Sequence, residues 1–161
     1  MHMFKGHPWW TWVLLVIIPV IAYSVSFATN SSSVFKDVDL PAFAPPRATF
    51  GIVWALLYIT IGIVATRLVQ SAVFRKSVSS PAFIILAILF IGTFVMNLAW
   101  TPVFAKDKKA SLFLLLAMLA GSASMLPLMA KLDTASTSLF IPYITWLLFA
   151  MLLNKEMISS E

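Results

Sequence analysis

The stretch from Leu40 to Tyr58 reads LPAFAPPRATFGIVWALLY, a proline-rich turn that runs directly into an apolar segment. Pro45 and Pro46 lack backbone N–H groups and fix their own φ, so they suit the start of a helix and not its middle. Beyond them Phe50, Trp54 and Tyr58 recur at i, i+4 and i+8, which sets three aromatic rings along one side of a helix. Such a row can stack on a flat ligand or on a neighbouring helix. The composition of the rest of the chain decides which solvent surrounds it.

Of 161 residues, 61% are hydrophobic and 11% charged, and the mean hydropathy is +0.97. Soluble domains carry about 25% charged residues, so this is the composition of an integral membrane protein. Five apolar stretches approach or exceed the roughly 20 helical residues that cross a bilayer core: about 9–28, 48–68, 81–104, 110–130 and 138–158. Polar residues collect in the breaks, Asn30 to Asp39, Gln70 to Ser80, Ala105 to Lys109 and Lys131 to Thr137. Apart from the first, these connections are short, so successive helices pack as antiparallel neighbours. The runs are continuous, where barrel strands would alternate. The fold class is therefore all-α, a five-transmembrane-helix bundle forming a single domain over residues 1–161.

The first segment has a competing reading as a signal peptide, because Lys5 precedes it and Ser26-Phe27-Ala28 has the small residues of a cleavage site. The run is longer than a signal core, and Trp9, Trp10 and Trp12 suit an interfacial anchor, which favours a retained helix. A formal charge of +5 would suggest nucleic acid for a soluble chain. Here the basic residues flank spans, and no nucleic-acid partner is expected. Lys36, Arg47, Lys106, Lys108, Lys109 and Lys155 fall on one side, and Lys5, Arg67, Arg75, Lys76 and Lys131 on the other. Six against five tilts only slightly toward a cytoplasmic C-terminus.

Ion-coupled transporters place ionisable groups inside the bilayer. The acids here, Asp37, Asp39, Asp107, Asp133, Glu156 and Glu161, all fall in loops or the tail, which argues against a drug antiporter. Arg67, near the end of the second span, reads as a residue that snorkels to the headgroups. His2 and His7 are the only histidines, so neither an intramembrane general base nor a haem axial ligand is expected. Without cysteine there are no disulfides or thiolate metal sites, and methionines in apolar spans are packing residues first. No metal or cofactor is indicated.

Polar and aromatic groups that could face a cavity concentrate in three blocks. Phe50, Trp54 and Tyr58 lie on the second span. The third ends in NLAWTPVF, with Asn97, Trp100, Pro102 and Phe104, and the fifth carries LFIPYITWLLFAMLLN, with Pro142, Tyr143, Trp146, Phe149, Ala150 and Asn154. Asn97 and Trp100 share a helix face, as do Trp146 and Ala150. An amide in the bilayer needs a partner, either a neighbouring helix or a ligand. Each tryptophan is equally readable as a belt or packing residue, and each internal proline as a kink.

Taken in order, the three blocks resemble the tryptophan-rich sensory protein/translocator protein family, also called the peripheral-type benzodiazepine receptor family. They fall on the second, third and fifth spans, as in that family, and the resemblance covers about residues 10 to 157. It implies a five-helix bundle, often a homodimer, in a bacterial envelope or mitochondrial outer membrane. The implied ligand is a porphyrin such as protoporphyrin IX or another flat hydrophobic small molecule, bound under a first-loop lid shaped by Pro41, Pro45 and Pro46. Carried over by position, the pocket is lined by Trp54, Asn97, Trp100, Trp146 and Ala150, with Phe43, Phe50, Tyr58 and Tyr143 beside them. Arg47 is a candidate partner for porphyrin carboxylates, and a solvated or headgroup-bound residue in the competing reading.

Three activities are compatible with the resemblance: binding and sensing, porphyrin or lipid transport, and light- and oxygen-dependent porphyrin degradation through Trp54 and Trp146. Binding needs the least and ranks first. The chain departs from the family where Phe43 replaces the tryptophan of the P-x-W-x-P-P turn and where Val34-Phe35 replaces an aromatic pair. The sterol-recognition segment, which needs a tyrosine and a basic residue after Asn154, reads NKEM instead, so sterol recognition through it is unsupported.

Overall fold

The computed structural model describes residues 8–36 and 38–159; His2, Lys5, His7, Asp37 and Glu161 lie outside them. A 3-10 turn, Trp9–Trp12, leads into α1 (Val13–Ala28), followed by the short α2 (Ser31–Val34), then α3 (Arg47–Phe74), α4 (Pro81–Lys106), α5 (Lys108–Leu132) and α6 (Thr134–Ser159). Five of these segments are long and apolar enough to cross a membrane. The protein is an integral, multi-pass membrane protein, and among the described residues there is no strand.

Helix starts follow local chemistry. Pro46 sits at the N-cap of α3, Ser80 Oγ accepts from Phe83 N to cap α4 ahead of Pro81, and the Asp107 carboxylate accepts from Ala110 N to cap α5. Asn30 takes a left-handed φ of 48°, a conformation that asparagine tolerates, and this turns the chain from α1 into α2. Pro19, Pro102, Pro127 and Pro142 all lie inside helices that continue through them.

Along each of α3 to α6 one row of buried positions recurs at alternating steps of three and four, beside further buried residues such as Gly62, Ala65 and Thr66 on α3. The members of these rows are Leu57, Ile61, Val64 and Leu68 on α3, and Thr93, Asn97, Trp100 and Phe104 on α4. On α5 they are Ser111, Leu115, Met118, Ser122, Met125 and Met129, and on α6 Ser136, Phe140, Tyr143, Leu147, Ala150, Asn154 and Met157. That stepping is the seam of near-antiparallel helices with left-handed packing. Met118, Met125 and Met129 are fully buried, which makes them packing residues. Around the bundle α1 lies on α3, α3 on α6, α6 on α5 and α5 on α4, while α2 folds back to touch α1 and α4. The seam between α3 and α4 is left open at one end, and the cavity described below occupies it.

Two glycines set helix separation. A Cβ on Gly62 would lie 3.1 Å from Leu15 O of α1, and one on Gly121 would lie 2.6 Å from Thr93 Cγ2. Thr93 cannot easily turn away, because its hydroxyl donates to Leu89 O and Phe90 O and its branched side chain is stiff. Gly121 therefore serves packing within the bundle, whereas Ala117, Ala120 and Ser124 of the same helix face outward.

The structure corrects two readings at the far end of α3, which continues six residues past the expected 68. Gln70 is not in a loop; it is buried and donates from Nε2 to Thr11 Oγ1 at 3.0 Å. Arg67 does not snorkel. It lies two helical turns inside α3 and donates from Nε and Nη2 to the Asp133 carboxylate at 2.8 and 3.0 Å. Asp133, at the junction of α5 and α6, also accepts from Ser136 N and Oγ. A bidentate pair with extra donors satisfies both charges inside the fold, which is more favourable near lipid than stretching to the headgroups. Burial alone would raise the Asp133 pKa, but the hydrogen bonds from Arg67 and Ser136 and the arginine charge hold it below the usual carboxylate range.

Gly121→Val should lower the thermal stability of the detergent-solubilised protein by about 1–3 kcal/mol, while Gly92→Val, with open space at its Cβ, should leave it nearly unchanged; scanning calorimetry distinguishes the two. A depressed native pKa means that Asp133 stabilises the fold above its unfolded value of about 4 and loses that contribution as pH falls through the native value. Acid titration of the melting temperature should therefore show a steeper fall below about pH 4 in the parent than in Asp133→Asn.

Candidate functional site

A cavity of about 570 Å³ opens between α1, α3, α4 and α6 beneath α2 and the first loop, within the range of small-molecule sites. Its walls are aromatic. Trp54 and Tyr58 of α3 stack at 5.5 Å and 26°, while Trp146 of α6 meets Trp54 edge-on at 6.4 Å and Phe50 at 5.8 Å. Tyr23 of α1 extends the wall by an edge contact with Tyr58 at 6.2 Å. Heptad-like stepping on α3 and α6 turns these rings toward the same space, so the row read from the sequence faces a cavity on one flank and core on the other.

The polar floor is a relay across three helices. Tyr58 OH donates to Asn97 Oδ1 at 2.9 Å, and Asn97 Nδ2 donates to Tyr143 OH at 3.3 Å. Asn97 thus has protein partners on both sides of its amide, as a buried amide in a bilayer requires. Trp100 and Trp146 differ. Trp100 is only 9% exposed, and the indole N–H groups of both are buried without an acceptor among the described residues.

The cover is fastened by one side chain. Arg47, the first residue of α3, donates from Nε to Phe35 O at 2.9 Å and from Nη2 to Val38 O at 2.8 Å. It therefore ties the loop after α2 to the cavity mouth. Under that tie Phe35 reaches into the aromatic cluster, stacked on Phe50 at 6.5 Å and 3°, on Trp100 at 6.0 Å, and on Phe104 at 5.3 Å. Lys36 and Arg47 supply positive charge at the rim.

Of the candidate residues, Arg47, Phe50, Trp54, Tyr58, Asn97, Trp100, Trp146 and Ala150 come together around the cavity. Phe43 does not line it; the ring is 55% exposed and meets Phe149 edge-on at 6.5 Å. Tyr143 sits behind Asn97 in the core. Sequence reasoning missed Tyr23 and Ser26 of α1, and Phe35, Lys36 and Leu40 of the loop. The signal for Phe35 was present, as the aromatic residue preceding the proline turn. No group of His, Asp or Glu among the described residues could hold a metal ion.

Comparison with known proteins fits this geometry. The TspO/MBR family matches residues 12–159. A translocator protein homolog of Schizosaccharomyces pombe is 35% identical over 80% of this chain and 79% of its own length. A tryptophan-rich sensory protein of Cereibacter sphaeroides is 30% identical over 76% and 73%, and the translocator protein of Bos taurus 26% over 76% and 72%. The chain belongs to the TspO/MBR family.

Arg47→Met removes both ties at once, with the loss of about 1 kcal/mol for each hydrogen bond. Amide hydrogen exchange across residues 35–46 should accelerate several-fold in that variant while the exchange of α5 stays unchanged. Equal protection in parent and variant would mean that the loop is held by packing alone.

Proposed function

We propose that this TspO/MBR membrane protein binds a flat, hydrophobic, acidic ligand of the tetrapyrrole class in the cavity beneath the first loop, and acts as a sensory protein for it. The observation that carries this reading is the apolar cavity of about 570 Å³ walled by the rings of Phe50, Trp54, Tyr58, Trp100 and Trp146. A flat ring system fits between these walls and can stack on Trp54 and Phe50.

The rim supports the same class. Porphyrin carboxylates need cations or amides at the mouth of an apolar site, and Lys36 and Arg47 stand there. Access requires Phe35 to leave its stack and the Arg47 ties to open, so ligand binding and loop position are coupled. That coupling is what a sensor needs, because a ligand shifts a conformation only as far as it favours one state. Degradation in light is a second reading, supported by the contact of Trp54 with Trp146. Homodimer formation, also implied by the family, has its candidate face at Ala117, Ala120 and Ser124 on α5, where backbones can approach closely.

Protoporphyrin IX titrated in the dark into detergent-purified protein should quench tryptophan fluorescence saturably. Trp54→Ala and Trp146→Ala should each weaken binding about fivefold, the value of one aromatic contact of about 1 kcal/mol. The dimethyl ester of the same porphyrin should bind more weakly than the free acid. Equal binding of ester and acid would remove the acidic class, and binding indifferent to both tryptophans would remove the site. Illumination with oxygen separates the second reading: a new absorption band lost in Trp54→Phe and Trp146→Phe would mark turnover.

A further inference from the structure

A second cleft lies at the opposite end of the bundle. It has a volume of about 220 Å³ and sits between the start of α4 and the end of α5. The floor is apolar, made by Phe83 and Leu86 of α4 with Leu128 and Leu132 of α5, and the rim carries Arg75 and Lys131. Ser77 and Ser80 add hydroxyls beside them. Lys76 takes a left-handed φ of 53°, which reverses the chain directly after α3 and brings the connection back across this rim. Arg75 donates from Nη1 to the backbone carbonyl of Lys131 at 3.2 Å, so its guanidinium is held beside Lys131 at one edge of the cleft.

The charge balance at this end is one-sided. Among the described residues, Arg67, Arg75, Lys76 and Lys131 are the cations at this end and Asp133 is the acid. That acid is already bound by Arg67 through two hydrogen bonds. Arg75, Lys76 and Lys131 are exposed and are left without an acidic counterpart. An apolar furrow between two spanning helices, capped by cations where the helices leave the membrane, matches an acyl chain lying below an anionic headgroup. A free inorganic anion would use the rim but leave the floor uncovered. A zwitterionic lipid would bring its own cation against Arg75 and Lys131.

We infer that this cleft is a binding site for an anionic glycerophospholipid, with the phosphate at Arg75 and Lys131 and an acyl chain on the Phe83, Leu86, Leu128 and Leu132 floor. The site is separate from the aromatic cavity and does not depend on the ligand proposed for it. It gives the bundle a contact that distinguishes one lipid class from another.

Native mass spectrometry of the delipidated full chain, titrated with dioleoylphosphatidylglycerol, dioleoylphosphatidylcholine or inorganic phosphate, tests it. The anionic lipid should bind at least about tenfold tighter than the zwitterionic one, since each basic residue near an anionic surface contributes about 1 kcal/mol. Arg75→Gln/Lys131→Gln should abolish that preference. Lys106→Gln/Lys109→Gln, which removes as much charge at the other end, should keep it. Leu128→Trp, which fills the floor, should reduce binding of both lipids. Unchanged melting temperature confirms that each variant is folded; should the double variant melt early, Leu128→Trp and the phosphate competition carry the test. Equal affinity for the two lipids, or a preference that survives the double substitution, would overturn the inference. Displacement of the lipid by inorganic phosphate would overturn it in favour of a free-anion site.

Discussion

In the interior of a bilayer no water is available to complete a hydrogen bond, and the whole arrangement of this protein follows from where its polar side chains find partners. Gln70 reaches Thr11, Asn154 donates to Ser111 Oγ at 2.6 Å, Asn97 joins Tyr58 to Tyr143, and Arg67 clasps Asp133. Each link crosses from one helix or its flank to another. Individually such bonds contribute only about 0.6 kcal/mol on average, because the same groups also find partners in other membrane-embedded states. Together they choose which face of each helix points inward, since apolar side chains are nearly indifferent between lipid and core.

That indifference explains what the sequence revealed and what it concealed. Length and hydropathy were enough for five spans, and the proline pair marked where α3 begins. The inward face was not visible in apolar patterning, because outward positions such as Ile88, Val95 and Leu152 are as hydrophobic as Leu115 or Leu147. Ser111, Ser122 and Ser136, with Thr93 and Asn97, carried that information, because a polar side chain in a spanning helix turns toward a partner inside the bundle. Arg67 and Gln70 were misread for a related reason. A charge or amide near the end of an apolar run looks like a flank unless its partner is known, and Asp133 and Thr11 lie 66 and 59 residues away.

Much of the cavity wall was legible because aromatic residues at helical spacing can be assigned to a face. Phe43 and Tyr143 were harder. Phe43 lies in a turn, where no periodicity sets its direction, and it ends on the outside against Phe149. Tyr143 shares the inward face of α6 with Leu147 and Ala150, but it sits a turn deeper than Trp146, so its hydroxyl is taken up by Asn97. Phe35 carries the opposite lesson. It belongs to a non-helical segment whose position depends on a tie made 12 residues later by Arg47, a long-range contact that local sequence does not display.

The two ends of the bundle are built differently, and this bears on what the cavity can do. At the loop end the cover rests on two hydrogen bonds from one exposed arginine and on one inserted ring, elements that can part without disturbing a helix. Below it, Gly62 and Gly121 bring helices into close contact at mid-bundle, and at the other end Gln70 is sealed onto Thr11 and Arg67 and Asp133 bridge α3 to the junction of α5 and α6. Passage of a ligand right through the bundle would have to separate that charged pair and leave both ions without partners near lipid, a cost of several kcal/mol. Opening the loop end alone carries no such penalty. For the ligand proposed above, this asymmetry supports entry and exit by the loop end over passage through the bundle.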